Sequence, residues 1–360
     1  MSRLLLPASL LLACRPPGPV AISAEEIGVV AQSAAIEGRD GGGSARAFGR
    51  SVWTYGDTVL TVRDERDANW HHNSVSWTED GNAADGVSGF VEPVDGVGAP
   101  RHLIPPSPSE QAYNDAHAGD ACAETPCGAR WAVWPGTPVW DPRRERALVF
   151  YGLIHAEPGE LAFEGGGQSV AVWSALEEPP ERPVVHAESA HPDLIWGPDD
   201  VPWGTAAVIE DDHVVALGCQ LELLVHRCRL ARAPAGRPTE PTAWRYWDGS
   251  AWGADPARAV VLFDGAPIVS LSWVDHLDAW LVVYSPPFDH DALARTAPAL
   301  TGPWSAPSRL VTAPEDDPPY DVMHHPDLEE EGGRVQYLTW SRHTTGWFGT
   351  EFPLVRVVLE

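Results

Sequence analysis

The chain has no lysine, two methionines and, beyond its first residues, no apolar run long enough to span a bilayer. All 24 basic residues are arginines, against 51 acidic residues, which gives a formal net charge of -27. That charge argues against nucleic acid or an anionic membrane surface as a partner, whereas a neutral or cationic ligand is compatible with it. The missing lysine is typical of codon bias in a GC-rich genome.

Long helical periodicity is also missing, because prolines interrupt every stretch of more than about three turns. The 33 glycines and 35 prolines follow no strict period, which excludes collagen and indicates many turns between short strands. With 360 residues, 44% of them hydrophobic, the chain can bury the core of one large all-β domain or two ordinary ones.

The first 13 residues have the features of a secretory signal peptide, with Arg3 ahead of the apolar run Leu4–Leu12. The sequence Leu-Leu-Ala-Cys at 11–14 resembles the lipobox of bacterial lipoproteins, which predicts lipid attachment to Cys14; ordinary cleavage a few residues later is the alternative. Residues 14–30 would then be a tether and residues 31–360 the folded domain. We expect an exported monomer at the bacterial cell envelope, periplasmic or outer, that contacts the membrane only through this lipid.

The other four cysteines form two local pairs. Cys122 and Cys127 flank four residues, and Cys219 and Cys228 flank eight. In an oxidising compartment such pairs predict two disulfides. A zinc site is the competing interpretation, but the spacings do not fit a CxxC pair.

A loose repeat occurs five times, each copy with a second strand rich in Val, Leu, Trp and Tyr. These second strands are residues 52–57, 147–152, 214–219, 279–284 and 335–340, about 55 to 95 residues apart. Four-stranded blades with loop insertions would give this spacing, so we predict an all-β, five-bladed β-propeller. A β-sandwich with irregular loops is the alternative.

A β-hairpin pattern in the first repeat carries two carboxylates, Asp40 and Asp57, at its open end. A turn centred on Gly49-Arg50 would place Asp57 opposite Gly42 and Asp40 two residues beyond, roughly 7–8 Å away. Glycosidic hydrolysis uses two carboxylates at such a distance. Taken singly, each aspartate also fits an ordinary turn or strand end.

The start of the first strand and the end of the second lie at the same end of a propeller blade, so distant residues should meet there. Asp40 is the expected catalytic base, and Asp57 is its partner or the group that tunes its pKa. Glu222 is a candidate acid. Because its hairpin is closed by the Cys219–Cys228 pair, Glu222 also fits an ordinary solvated loop residue. Arg342 could anchor a carboxylate or neutralise an aspartate, and His325 could bind sugar hydroxyls. The expected substrate-binding residues are Asn73, Trp134, Gln168, Trp203, His324, His325 and Arg342.

No cofactor is expected, although the histidine pairs at 71–72 and 324–325 raise a divalent ion in the central channel as an alternative. Adjacent residues of a strand point to opposite faces, so each pair offers at most one ligand.

The segment Gly-Arg-Asp-Gly-Gly at 38–42, followed by Val-Trp-Thr-Tyr-Gly-Asp-Thr at 52–58, resembles a bacterial domain-of-unknown-function family of exported five-bladed β-propellers. Gly-Pro-Trp-Ser at 302–305 and the last repeat, from His324 to Arg342, are similar to further motifs of that family. The resemblance implies a single propeller domain related to endo-D-arabinanases, with Asp40 and Asp57 at the active site. It does not identify a general acid.

Three functions follow as hypotheses. The first is a surface-anchored glycoside hydrolase that cleaves furanose-containing, arabinan-like polysaccharide by carboxylate acid/base catalysis. The second is a non-catalytic propeller that binds glycan or protein at the cell surface. The third is a metal-dependent hydrolase that uses the histidines.

Overall fold

The computed structural model describes residues 17–159, 162–315 and 317–360. Five antiparallel sheets form the blades of a propeller, which confirms the predicted five-bladed all-β fold and excludes the sandwich. The predicted signal peptide, residues 1–13, and the predicted lipidation site, Cys14, lie outside the described residues and stay predictions. In the described ranges no helix is long and apolar enough to cross a membrane.

The strands are short, as the distribution of glycine and proline predicts, and one α-helix lies between the first and second blades. Their bounds are β1 Ala21–Val29, β2 Ile36–Ala47, β3 Arg50–Leu60, β4 Trp70–His71, β5 Ser74–Thr78, α1 Pro108–His117, β6 Arg130–Pro135, β7 Val139–Asp141, β8 Arg146–Ala156, β9 Phe163–Trp173, β10 Trp203–Glu210, β11 His213–Glu222, β12 Val225–Pro234, β13 Arg245–Trp247, β14 Trp252–Gly253, β15 Phe263–Gly265, β16 Ser270–Val274, β17 Ala279–Tyr284, β18 Asp291–Ala297, β19 Ser308–Thr312, β20 Tyr320–His324, β21 Val335–His343, β22 Thr350–Glu351 and β23 Pro353–Leu359.

The innermost strands of the blades close a ring around the channel. They are β2, then β6 with β7, β10, β16 and β20, and each neighbouring pair is in contact, including β20 with β2. The second strands are β3, β8, β11, β17 and β21, which contain the five segments predicted from the repeat. Because neighbouring strands are antiparallel, all inner strands begin, and all second strands end, at one end of the channel, which we call the mouth.

The N-terminal strand closes the ring by completing the last blade. β1 pairs with β23, with Ala21 opposite Leu359 at the end away from the mouth. Ala21–Val29, which the sequence assigned to a tether, is thus the outermost strand of the fifth blade. The folded domain extends at least to residue 21.

Apolar side chains pack between adjacent blades. One cluster joins Val52 and Trp77 of the first blade to Val149 and Trp173 of the second, and Trp173 is 1% exposed. Burial of such large apolar surfaces at each blade interface is the main favourable term in holding the ring closed.

Both predicted disulfides are present. Cys219 and Cys228 are cross-strand partners on β11 and β12, with Cα atoms 4.0 Å apart, and Cys122–Cys127 closes a loop after α1 with Cα atoms 5.4 Å apart. The bonds use all four sulfurs, so the zinc interpretation is wrong. Two disulfides indicate an extracytoplasmic protein.

Candidate active site

Asp40 and Asp57 lie directly across from each other at the mouth. The hairpin turns at Phe48-Gly49, with Ala47 opposite Arg50, one residue earlier than predicted. The pairing of β2 with β3 is irregular near Asp40. Arg39 pairs with Thr58, but Gly41 pairs with Tyr55, so one residue of β2 lies opposite two of β3. Asp40 therefore faces Gly56 and Asp57. The predicted diagonal register is therefore wrong, and the two aspartates are closer in register than expected.

Gly56 makes room for the Asp40 carboxylate. A Cβ atom added to Gly56 would lie 2.3 Å from Asp40 Oδ1, a distance that a side chain could not tolerate. Gly41 and Gly42 follow Asp40 with φ of 78° and 92°, in the left-handed region that favours glycine. The glycine-rich stretch around Asp40 is thus needed to bend β2 and to seat the carboxylate against the β3 backbone.

A third carboxylate, Asp321, joins them from the inner strand of the fifth blade. Both Asp57 and Asp321 act electrostatically on Asp40. Asp321 is 8% exposed and has φ of 59°, a conformation that costs free energy in a non-glycine residue and is typical of functional sites. Because β20 begins at Tyr320, Asp321 stands at the mouth, as Asp40 does on β2.

The environments of these carboxylates favour a shared proton. Burial raises the pKa of Asp40 well above its usual range, the charges of Asp57 and Asp321 raise it further, and the backbone N–H of Asp57 opposes the shift. Burial also raises the pKa of Asp321 to about 7, against a smaller opposing effect of its hydrogen bond with the Tyr320 hydroxyl. Near neutral pH the Asp40–Asp321 pair therefore retains a proton.

The Asp57 carboxylate, unlike those of Asp40 and Asp321, faces a guanidinium as well as hydrogen-bond donors. The indole N–H of Trp70 donates to its Oδ1 over 3.0 Å, and His72 Nδ1 lies 3.6 Å from the same oxygen. The Arg130 guanidinium acts on Asp57 electrostatically and stacks over the Trp70 ring at 4.3 Å. This arrangement places hydrogen-bond donors and one guanidinium around the Asp57 carboxylate, beside the Asp40–Asp321 pair.

Exposed aromatic rings border this group. Trp347, 69% exposed, contacts Trp70 edge to face at 4.9 Å, and Tyr320 is 58% exposed. Aromatic faces of this kind suit the apolar C–H face of a sugar ring. Trp70, Tyr320, Asp321 and Trp347 were not among the sequence candidates. The sequence analysis began the inner strand of the fifth blade at His324, whereas this strand begins at Tyr320. Because inner strands begin at the mouth, the correct start would have identified Asp321.

Glu222 does not join the three aspartates. Its carboxylate accepts from Arg229 Nη2 over 2.6 Å and lies 3.5 Å from Arg227 on the β11–β12 hairpin, and it is absent from the charges that act on Asp40. The structure therefore places the candidate acid in a local ion-pair cluster, as the solvated-hairpin alternative described.

His324 and His325 are structural. The His324 ring lies between the hydroxyls of Ser270 and Ser272, at 2.6 and 2.8 Å. The His325 ring lies between the hydroxyls of Ser44 and Thr339, at 2.7 and 2.8 Å. Burial lowers the pKa of each imidazole to about 3, so both are neutral and both ring nitrogens are occupied.

Asn73 and Arg342 also face protein partners. The buried Asn73 amide donates to the carbonyls of Ile104 and Val133 and accepts from the Ile104 N–H. Arg342 pairs with Glu26 and Glu351, at 2.9 and 2.7 Å, on the outer strands of the fifth blade. Neither is free to bind a sugar in the way that the sequence suggested.

The remaining predicted substrate residues belong to the second and third blades. Trp203 is 1% exposed and packs on Tyr246, so it is a core residue. Trp134 and Gln168 flank Gly152 on neighbouring strands and are half-buried. Their role in substrate binding stays a prediction.

A metal centre finds no support among the described residues, which hold no group of three or more His, Cys, Asp or Glu side chains with metal-binding geometry. His71 is bonded to Asp64 at 3.1 Å and stacks on His102 at 4.1 Å. Both rings line a recess of about 270 Å³ between the first two blades, away from the three aspartates. Whether an ion enters the channel stays untested.

Solved structures share this fold at low sequence identity. A candidate hydrolase from Bacteroides ovatus is 16% identical with a TM-score of 0.59, over 92% of this chain and 87% of its own. A family 117 glycoside hydrolase from Zobellia galactanivorans is 10% identical with a TM-score of 0.53, over 93% and 90%. An endo-arabinase from Bacteroides thetaiotaomicron is 10% identical with a TM-score of 0.48, over 92% and 97%. No curated protein matches the chain significantly.

A sequence match covers the second part of the chain. Residues 172–349 match the family described as a domain of unknown function, DUF4185. The matched range includes the Gly-Pro-Trp-Ser segment, the last repeat and Asp321, and it excludes the hairpin with Asp40 and Asp57. The chain is thus a five-bladed β-propeller whose residues 172–349 match the DUF4185 family model.

Proposed function

We propose that the protein is a glycoside hydrolase that cleaves furanose-containing, arabinan-like polysaccharide at the mouth of the propeller. The observation that carries the proposal is the convergence of Asp40, Asp57 and Asp321 at the mouth, where the pKa values of Asp40 and Asp321 are raised and Asp57 accepts from Trp70. Glycosidases need one carboxyl that holds a proton and one that does not. The likeness to glycoside hydrolases in fold supports a carbohydrate ligand.

The roles that this arrangement supports differ from those expected from the sequence. Asp57, held by the Trp70 N–H and close to Arg130, is the base or nucleophile. The Asp40–Asp321 pair holds the proton that the leaving oxygen receives. Asp40 would thus act on the acid side of the reaction, and Asp321 replaces Glu222 as the third carboxyl.

The direct test is turnover of a polysaccharide panel, with arabinan, galactan and xylan incubated with the purified protein and released reducing ends measured. We expect reducing ends from arabinan at a rate that depends on enzyme concentration and persists in EDTA. Binding of arabinan without release would support the non-catalytic propeller, and activity lost in EDTA and restored by zinc would support the metal-dependent hydrolase.

The protonated pair also predicts a pH dependence of stability. The folded-state pKa of Asp321, about 7, exceeds the unfolded value of about 3.9, so its contribution to stability is full below pH 4 and is lost as the pH rises through 7. The loss is at most about 4 kcal/mol. In Asp321→Asn, which stays neutral, we expect the melting temperature to fall less between pH 5 and pH 8 than in the wild type. Equal falls in both proteins would contradict the assignment, and Asp67→Asn, at an exposed loop, is the control that should keep the wild-type slope.

A further inference from the structure

Arg130 begins β6, the inner strand of the second blade, and therefore stands at the mouth. Its guanidinium lies 4.3 Å above the Trp70 ring, and Trp70 in turn donates to Asp57. Trp347 contacts the edge of Trp70 and holds the orientation of that ring. Arg130, Trp70 and Asp57 thus form one contiguous group in the wall of the candidate active site.

This arginine feels the charge of Asp57 but forms no direct ion pair with a described residue. Within the described ranges no carboxylate oxygen lies at salt-bridge distance from Arg130, and its one hydrogen bond, Nη1 to the Gly128 carbonyl, is 3.5 Å long. Its Nε is buried without an acceptor. By contrast, Arg182 pairs with two carboxylates and Arg342 with three.

What distinguishes Arg130 is its buried Nε. Two other buried guanidinium nitrogens in the described ranges lack a hydrogen bond, Arg39 Nη2 and Arg146 Nε, but they lie 3.2 and 3.8 Å from a carboxylate oxygen, whereas Arg130 Nε has no ion pair. A guanidinium stays charged in any protein environment, and burying it without a counter-ion costs free energy. An anion that arrives with the ligand would recover that cost.

A second nitrogen in the same wall is also unpaired. His72 is 8% exposed, and its Nδ1 is buried with no hydrogen-bond partner, 3.6 Å from Asp57 Oδ1. Two buried nitrogens without a hydrogen-bond partner, Arg130 Nε and His72 Nδ1, thus lie in the wall that holds Asp57. Arg130 Nε can only donate, so the wall has room for an acceptor group other than those the protein supplies.

We propose that Arg130 binds an anionic group on a sugar adjacent to the scissile bond, so that the substrate is an arabinan-like polysaccharide that also contains acidic, carboxylate-bearing sugars, recognised locally by this arginine despite the negative net charge of the chain. The planar fork of Arg matches a carboxylate bidentately, and stacking on Trp70 fixes the plane in which it is presented. Retention of a proton by Asp40 and Asp321 limits the repulsion that an incoming anion meets. This proposal rests on the proposed function, because it takes the mouth of the propeller as the active site. Its test, however, measures binding and not hydrolysis.

The test compares galacturonate with galactose, its neutral counterpart, by calorimetric titration of the intact protein. We expect the wild type to bind galacturonate about tenfold to a hundredfold more tightly, the usual range for a charge-assisted hydrogen-bonded pair. Arg130→Gln should lose this preference while it keeps the wild-type melting temperature, and Arg130→Lys should retain part of it. Arg245→Gln is the matched control, since Arg245 is exposed on an outer strand and contacts only backbone carbonyls.

Two further arms separate the alternatives. Displacement of galacturonate by sodium sulfate would assign the site to sulfate esters as well, whereas failure of sulfate to compete would assign it to carboxylates; both results support an anion site. A wild type without preference for galacturonate, or a preference that survives in Arg130→Gln, overturns the proposal. Because Asp57→Asn can abolish hydrolysis and leave the preference, failure of the enzyme proposal and failure of this one are distinguishable.

Discussion

Asp57→Asn is expected to lower arabinan hydrolysis by about 10²–10⁴-fold, the range for loss of a general base. The amide can still accept from the Trp70 N–H, as the carboxylate does over 3.0 Å, so folding should survive. It cannot carry the negative charge that activates water or attacks the sugar. Initial rates of reducing-end release at saturating arabinan, together with melting temperatures, measure both quantities.

Asp67→Asn is the matched control for this substitution. Asp67 lies in the loop between β3 and β4 of the same blade, is exposed, and has only a 3.7 Å pair with Arg63. Its variant should keep the wild-type rate. Activity within about threefold of the wild type in Asp57→Asn would contradict the role of Asp57 as base or nucleophile.

The second large effect is on stability and concerns a buried ionic network beside the second blade. Arg182 binds Glu110 through two hydrogen bonds of 2.7 Å and Asp193 through bonds of 2.8 and 3.0 Å, and Asp193 also accepts from the Tyr151 hydroxyl. Glu110 and Asp193 are 2% and 5% exposed. The network fastens helix α1 and the segment after β9 to β8.

Arg182→Met is expected to lower the free energy of unfolding by about 3–5 kcal/mol, because it leaves two buried carboxylates without a counter-ion. Urea unfolding followed by tryptophan fluorescence measures the change. Arg237→Met provides the comparison, since Arg237 pairs with Glu240 on the surface, where solvent screens the pair, and its loss should change the free energy of unfolding far less. Equal effects in the two variants would show that the buried network contributes no more than a surface pair.

The architecture was predictable because residues close together in the sequence indicate each strand and turn. Each second strand, such as Ala279–Tyr284, is a short apolar run bounded by turn residues, and five such runs at blade-like spacing indicate a propeller. The disulfides were predictable for the same reason, since Cys219 and Cys228 are close in sequence. The strand Ala21–Val29 was missed because its pairing partner, β23, lies at the other end of the chain.

The candidate site was only half predictable. Asp40 and Asp57 belong to one hairpin, so a local pattern brings them together, although irregular pairing around Asp40 changed their register. Asp321 lies on a strand some 280 residues further along the chain, and no local sequence pattern indicates that it comes close to Asp40. His324 looked like a ligand because histidine is often functional, but its two serine partners belong to another strand and occupy both nitrogens.

The class of fold, the number of blades, the two disulfide pairs and one pair of candidate carboxylates were predictable from the sequence, because each depends on residues near one another along the chain. Only the folded ring shows which third carboxyl completes the group, which histidines are structural, and that the buried Nε of Arg130 has neither a hydrogen bond nor an ion pair among the described residues. Those properties depend on ring closure, which brings the first blade against the second and the fifth and thereby sets burial, proton sharing and charge balance at the mouth.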